Sequence, residues 1–586
     1  MTSDAVRIVR IPVAVFCCLI ASIAIAQPVA PERPSGWTPK QAVTAKREMI
    51  GTANPLATEA GNAMLRRGGS TVDAAVAAQM VLNLVEPQSS GIGGGAFIVH
   101  HDGRSKTLAA YDGRETAPSA ATPERFLDKG GAPSVFTDAV VGGRSVGVPG
   151  TLRVLRLAHN KHGRLPWAAL FEPAIALAER GFPVSARLHD ALANEKALAR
   201  DPVASAYFYR SDGSPHPVGG ILKNPDFAAT LKRIAVEGPD AFYRGEIARE
   251  IVAKVRSHPV NPGDITEADL AGYKAKVRAP VCGWYREYRV CGMPPPSSGA
   301  TTVLQMLGIL ERFDMRRIDH GSLFAVHLFA EAGKLAYADR GRFLADPDFV
   351  NIPDGLLDEG YLRERSGLID PQRALGTATA GDPGKRLATR KVAWADDNSI
   401  EFPSTSHISV VDRYGNALAM TTTIEDGFGS RQMVRGFLLN NELTDFSFAP
   451  VTDGKPVANR VEGRKRPRSS MAPTIVYDRA GRVHAVVGSP GGSAIINYVA
   501  KTLIGMLDWK LDPQQAIDLP NFGSRNFGYV ELETGTAIAA LEPKLRALGH
   551  DVRVIDHTSG LQAIARNRGG WIGGADPRRE GTVLGD

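Results

Sequence analysis

Little in this 586-residue sequence points to a metal, a nucleotide or a nucleic acid. His100 and His101 are adjacent, without the i,i+4 helical spacing and acidic partner of a zinc site, so no metal and no cofactor is expected. The glycines from Gly91 to Gly95 follow a helical pattern and precede a strand, whereas a dinucleotide fingerprint needs the strand first and the helix after. They read instead as close backbone packing or the wall of a site. The formal charge is +7, yet no aromatic residue interleaves the densest basic run, Arg464-Lys465-Arg466-Pro467-Arg468. That run reads as a basic rim beside an acidic substrate, and no nucleic-acid partner is expected. There are no Ser/Gly-rich or Pro-rich linkers, internal repeats or long low-complexity tracts. With 43% hydrophobic and 22% charged residues, the chain has the composition of one extended globular unit, although its length would permit several domains.

Long apolar runs are also scarce. The longest, Ile11 to Ile25, follows Arg7 and Arg10 and leads to Ala24-Ile25-Ala26 ahead of Gln27. It falls short of the roughly 20 residues a helix needs to cross a bilayer, so residues 1–26 read as a secretory signal and the protein as exported, periplasmic or secreted, with no stable membrane span. Of only four cysteines, Cys17 and Cys18 would leave with that signal. Cys282 and Cys291 flank an alternating segment with a turn at Arg286-Glu287. If Tyr285 and Tyr288 close this hairpin, the cysteines face each other about 4.5 Å apart at Cα, within disulfide range. Two free buried thiols are the alternative, since Arg-Glu is a poor tight-turn pair.

Helical patterns are read over 55–67, 71–86 with Ser70 and Asp73 as a capping box, 151–160, 167–180, 240–255, 301–312 and 323–337. From Gly376 to Ser399 the sequence turns polar and irregular, the composition of an arm feeding a cleavage site. Beyond it the period becomes two. Thr405 to Val411 alternates, a turn-rich Asp412 to Asn416 follows, and Ala417 to Ile424 continues as a strand. A hairpin closing at Val411 and Ala417 brings Thr405 opposite Thr423, with His407 on the same face; a one-residue slip would turn Thr423 away.

Threonine is a weak nucleophile unless a base stands beside it, and one such base is its own α-amine. An internal Thr405 has none. Cleavage of the Ser404–Thr405 bond would supply an amine with an unperturbed pKa of about 7.7–8.0, suited to general base work near neutral pH. The Thr405 hydroxyl can itself attack the preceding carbonyl, giving an N-to-O acyl shift and an ester that water opens. Acyl transfer also needs donors for an oxyanion, and the loop Gly488-Ser489-Pro490-Gly491-Gly492-Ser493 offers backbone amides free of side chains. His407 is then not required as a base and reads as a hydrogen-bonded supporting residue. A bland β-strand threonine is the competing reading of Thr405.

These residues resemble the γ-glutamyltransferases (glutathione hydrolases) of the N-terminal-nucleophile hydrolase superfamily, from about Arg47 to Asp586. The motifs are Asp112…Arg114-Glu115…Ala117-Pro118, Thr405-Ser406-His407…Asp412, Asn440-Asn441-Glu442…Asp445, Arg466-Pro467…Ser469-Ser470-Met471 and Gly488-Ser489-Pro490-Gly491-Gly492-Ser493. The resemblance implies an α/β (α+β) fold, a four-layer αββα sandwich, self-cleaved into a large subunit, 27–404, and a small one, 405–586. It implies γ-glutamyl transfer through a threonine acyl-enzyme to water or to amino-acid and peptide acceptors. Arg114, Ser469 and Ser470 would hold the substrate α-carboxylate, Glu442 and Asp445 its ammonium. Gly491 and Gly492 would form the oxyanion hole, and Thr423 would assist Thr405.

Two features depart from the family's better-known pattern. Glu425 stands where those members carry asparagine; facing the pocket it adds negative charge near the amine, facing solvent it is neutral to function. The segment from Phe446 to Ser469 is short and holds no aromatic after Phe448, so a lid is partly or wholly missing. Arg114 has a structural alternative, an ion pair with Asp112 or Glu115. A glutaryl-amide acylase of the same family is the nearest alternative function, and a non-catalytic binding protein a more distant one. Glu442, Asp445 and Glu425 speak against the acylase, since a glutaryl group has no amine to pair.

Overall fold

The period-two segments of the sequence assemble into two antiparallel sheets of seven strands each. The computed structural model describes residues 35–384, 394–397, 399, 401 and 404–586. The segment read as an export signal and part of the polar arm before Thr405 lie outside these.

In the first sheet the order is Thr582–Gly585, Met49–Thr52, Ser404–Val411, Ala417–Glu425, Gly95–His101, Leu108–Gly113 and Lys276–Arg278. In the second it is Val43–Ala45, Gly570–Ala575, Gln562–Asn567, Val483–Gly488, Thr474–Tyr477, Tyr288–Gly292 and Val281–Tyr285. Both sheets mix strands from before and after Thr405. Cutting the chain there would therefore leave every ladder in place.

Alternation along Ser404–Val411 decides the layers. Ile408 and Val410 belong to a core shared with the helices Pro55–Arg66 and Thr71–Val85. Val411, with Ala417, Ala419, Phe97 and Val99, packs instead against Ile475, Val487 and Ala563 of the other sheet. The far side of that second sheet is covered by the helices Gly299–Leu310, Leu323–Phe343 and Ile495–Leu507. Reading through the molecule gives helices, sheet, sheet, helices: the expected αββα sandwich. Thr71–Val85 is buried along its whole length, and Ser70 and Asp73 close its first turn as a capping box, worth about 1 kcal/mol at such a position.

Two expected helices are interrupted. Trp167–Phe171 is a 3₁₀ turn and the α-helix proper is Glu172–Arg180; Pro173 lacks an N–H and is tolerated only in a helix's first turn. The pattern over 240–255 splits into Asp240–Tyr243 and Gly245–Arg256 because Gly245 takes φ +70°, which breaks the right-handed run. The hairpin Val281–Tyr285/Tyr288–Gly292 pairs Tyr285 with Tyr288 and Cys282 with Cys291, and the two cysteines form a disulfide with Cα atoms 4.1 Å apart. Among the described residues no helix is long and apolar enough to cross a membrane.

Candidate active site

Thr405 pairs directly with Thr423 in the hairpin, and the register stays regular back to Val411 and Ala417. Both side chains face the space between the sheets. The chain runs unbroken through Ser404 and Thr405, so the geometry is that of the uncut form. Here the Thr423 hydroxyl is fully used: it donates to the Ser404 carbonyl oxygen at 2.7 Å and accepts from the Glu425 N–H at 2.8 Å and from the Thr405 hydroxyl at 3.4 Å. A hydroxyl has one proton and two lone pairs, and here the proton goes to the carbonyl of the Ser404–Thr405 peptide bond while the lone pairs take the Glu425 N–H and the Thr405 hydroxyl.

The glycine run behind this pair is close packing, as its composition suggests. A methyl group on Gly94 would meet the Thr423 carbonyl oxygen at 2.0 Å. His407 is fully buried; its ring nitrogens lie 2.9 Å from the Thr421 hydroxyl and 3.0 Å from the Ser409 hydroxyl. Burial pushes its pKa down to about 3, so it stays neutral and holds structure. Its ring lies directly beneath Gly488, where a methyl group would come within 2.1 Å of the imidazole. The strand ending at Gly488 runs into Gly491 and Gly492, with φ +137° and +53°, before the helix Ile495–Leu507. A methyl group on Gly491 would meet the Tyr498 ring at 2.5 Å, so glycine is required there.

Around Thr405 and Thr423 the pocket is lined by Arg114, Glu425, Glu442, Asp445, Ser469, Ser470, Gly492 and Glu401 among others. Of the residues given catalytic or substrate-binding roles from the sequence, all but Gly491 line this one cavity. Its free volume is about 20 Å³, room for about one water-sized body. The uncut form therefore has no space for a substrate.

One wall is acidic. Arg114 forks onto Glu442 and Asp445, rather than onto Asp112 or Glu115, and donates to the backbone carbonyls of Pro467 at 3.1 Å and Arg468 at 2.8 Å. Burial works against its charge, but Glu442 and Asp445 outweigh it. Glu425 is 3% exposed and points inward, held by the Asn441 amide and the Thr444 hydroxyl. Burial and the neighbouring Asp445 push its carboxyl well above the ordinary range. Glu115 is raised in the same way, by burial and by the neighbouring Glu442. Asp445 is raised by burial despite Arg114. Glu115, named in a motif but given no role beyond an ion pair, thus belongs to this wall.

Behind Glu401 and Ser470, which line the cavity, lies a basic layer that sequence reasoning missed. Arg340, from the helix Leu323–Phe343, donates to the Ser298 hydroxyl at 2.8 Å and the Ser470 hydroxyl at 2.7 Å and pairs with Glu401. Arg468 pairs with Asp397 at 2.9 Å and approaches Glu401 at 3.4 Å. Ser470 donates to the other Glu401 oxygen, while the Ser469 hydroxyl accepts the Met471 N–H at 3.2 Å. Burial tends to raise the Glu401 pKa, but Arg340 and Arg468 outweigh it and hold the carboxyl at about 2. The run Arg464–Arg468 is therefore not the exposed rim expected from its charge: Lys465, Arg466 and Arg468 are buried, and only Arg464 is exposed. Arg466 pairs with Asp112 and Lys465 with Glu462. The signal for Glu401 was its position four residues before Thr405; nothing local in the sequence connects it to Arg340.

In the short segment after Phe446, Phe448 stacks on Phe126 with ring centroids 4.5 Å apart, and Val451–Thr452 and Lys455–Pro456 form a small hairpin.

Comparison with known proteins agrees with this geometry. The family model "Gamma-glutamyltranspeptidase" matches residues 57–586. The glutathione hydrolase proenzyme of Bacillus subtilis (strain 168) is 38% identical over 559 residues, covering 93% of this chain and 92% of that protein. The acylase ACY 1 proenzyme of Pseudomonas sp. (strain SE83) is 36% identical over 558 residues, covering 93% and 94%. Among solved structures, cephalosporin acylase from Bacillus halodurans superposes with a TM-score of 0.79 at 27% identity, covering 94% of this chain and 97% of its own. With its Thr405–Thr423 hairpin, its glycine loop and a family match across nearly all of the described residues, the chain belongs to the γ-glutamyltranspeptidase family.

Proposed function

We propose that this protein is a self-processing γ-glutamyl hydrolase and transferase acting on glutathione and related γ-glutamyl amides. The single observation carrying this reading is that the cavity holding Thr405 is lined by one guanidinium with two hydroxyls, Arg114, Ser469 and Ser470, and by the carboxyl groups of Glu442 and Asp445. A γ-glutamyl group ends in an ammonium and a carboxylate on the same carbon, and a pocket with both kinds of group fits it. Glutathione hydrolase relatives at this level of identity support the reading.

In the precursor, the Thr405 oxygen would attack the Ser404 carbonyl carbon, and the oxyanion that forms would keep the Thr423 hydroxyl as its donor. The C–N bond breaks as the acyl group moves to oxygen, the nitrogen leaves as the Thr405 amine, and water opens the ester. The small subunit then begins at Thr405, with its α-amine as base. The same oxygen attacks the γ-carbonyl of the substrate, the Gly491 and Gly492 amides receive the oxyanion, and the γ-glutamyl ester passes to water or to an amino acid or peptide. The large subunit would run from 27 to 404 and the small one from 405 to 586. We further read the protein as exported, a reading supported by the signal-like first 26 residues and by the Cys282–Cys291 disulfide, a bond favoured in oxidising compartments.

The acylase relatives keep a second reading in view, hydrolysis of glutaryl amides by the same machinery. Denaturing electrophoresis of the purified protein should show two bands, and Thr405→Ala one; an uncut wild-type chain rejects self-processing. Processed enzyme should cleave γ-glutamyl-anilide in preference to glutaryl-anilide, and the reverse preference selects the acylase.

A further inference from the structure

The sandwich has a second opening, at the end of the sheets away from Thr405. The strand Ser404–Val411 carries the chain six residues from Thr405 to Val411, about 20 Å at the rise of a β-strand, and then turns over 412–416. Beside that turn lies a cavity of about 860 Å³, within the range of small-molecule sites. It spans both sheets. His101, Lys106 and Gly415 come to it from strand ends and turns of the first sheet, and the turn over 478–482 and Arg566 from the second. His101 and Tyr477 meet at its inner side, ring nitrogen to hydroxyl at 3.1 Å. Burial and the charge of Lys106 push the His101 pKa down to about 4, so this contact is neutral.

We propose that this cavity binds an anion carrying at least two phosphate groups. Its walls hold five cations, Lys106, Arg289, Arg479, Arg482 and Arg566, against one carboxylate, Asp478. That carboxylate is already committed: it accepts from the Arg482 Nε at 2.8 Å and from the backbone N–H groups of Ala480 and Arg482. Glu287, outside the lining, comes within 3.6 Å of Arg479 and no nearer. Lys106 and Arg289 make no side-chain hydrogen bond or ion pair among the described residues. Arg566 spends its Nε on the Val483 carbonyl, and burial with the like charge of Arg482 draws its pKa below the ordinary value. A merely solvated basic face would spread such side chains into water, whereas here turns of two sheets gather them around one concavity. Charge density favours phosphate over carboxylate. A phosphate monoester carries close to two negative charges and three acceptor oxygens, so two of them balance the excess of four cations, and guanidinium forks can share their oxygens. Thr405 and the groups around it line a different cavity, so this site stands whether or not γ-glutamyl compounds are the substrate.

Isothermal titration of the purified protein with sodium tripolyphosphate should show saturable binding. Orthophosphate and sulfate at the same ionic strength should bind at least about tenfold more weakly, since each forgoes one or more charged hydrogen bonds. Lys106→Gln and Arg289→Gln, which give up no internal contact, should each raise the tripolyphosphate Kd about tenfold and keep the wild-type melting temperature in its absence. Arg317→Gln removes the same charge from a side chain that is 87% exposed and outside the cavity, and should leave Kd within about twofold. Equal weakening by all three variants, equal affinity for orthophosphate, or no saturable binding overturns the proposal. Co-sedimentation with phosphatidylcholine vesicles containing cardiolipin, whose headgroup carries two phosphates, then distinguishes the sources. Pelleting that tripolyphosphate reverses marks a membrane headgroup, and protein left in the supernatant marks a soluble phosphorylated ligand.

Discussion

The acidic wall of the pocket and the basic layer behind Glu401 and Ser470 solve the same problem in opposite ways. The acidic wall gathers Glu115, Glu425, Glu442 and Asp445 around one guanidinium, Arg114, and relieves the excess with protons: Glu425 and Glu115 are pushed well above ordinary carboxyl values by burial and by their neighbours. The basic layer cannot gain or lose protons in this way, because arginine stays charged. It relies on carboxylates supplied by the chain just ahead of Thr405, Asp397 and Glu401.

The largest effect should come from removing the group that connects the pocket to the scissile bond. Thr423→Val deletes the donor to the Ser404 carbonyl and should slow self-cleavage about 10²–10³-fold, as loss of one oxyanion donor does. A time course of band conversion on a denaturing gel measures it, and wild-type timing would exclude this role for Thr423. Next, Asp445→Asn should lower kcat/KM for γ-glutamyl-anilide by about 10–10²-fold through loss of a charged contact, with no matching loss for glutaryl-anilide. Equal losses would detach the acidic wall from amine recognition.

A smaller effect should appear as pH dependence. Glu425 has a raised pKa in the folded chain, so the folded state holds its proton where the unfolded state has released it. Stability should fall as pH rises from the ordinary carboxyl range, about 4.3, towards the folded value. In the uncleavable Thr405→Ala background, adding Glu425→Gln should flatten that decline, so its melting temperature gains on the parent as pH rises. Parallel curves would mean that Glu425 is ionised throughout. Glu401 has the opposite sign: with a folded pKa of about 2, its contribution is present above the unfolded value and lost as pH falls towards 2. The smallest effect lies far from the pocket. Removing the Cys282–Cys291 bond, with nine residues of separation, should cost about 2–3 kcal/mol by loop-closure entropy and leave turnover unchanged, measured by chemical denaturation and by assay.

What the sequence made legible was periodic or local. The Thr405–Thr423 register followed from counting outward from a turn, and Ser70 with Asp73 announced a helix start, because both depend on residues close together in the chain. Glu425, two residues on from Thr423, was not legible from period two, because the register shifts between Thr405 and Ser404 and Glu425 takes φ +78°. Arg340, Arg468 and Glu401 were not legible as a group. They lie on a helix, a loop and the approach to a strand, and only the packing of the second sheet's helices brings them together. Arg466 and Arg468 looked like surface charge because charge in a sequence says nothing about whether a partner is waiting. Their partners, Asp112, Asp397 and Glu401, come from other parts of the chain.

The contact between His407 and Gly488 has a consequence for the site as a whole. Thr405 belongs to one sheet and the Gly491–Gly492 loop to the other, and no backbone ladder fixes the gap between them at this point. An imidazole ring does, lying neutral against a glycine that has no side chain to yield. The distance from Thr405 to the Gly491–Gly492 loop is therefore gauged by the thickness of a side chain, a spacer whose size can be altered without touching either.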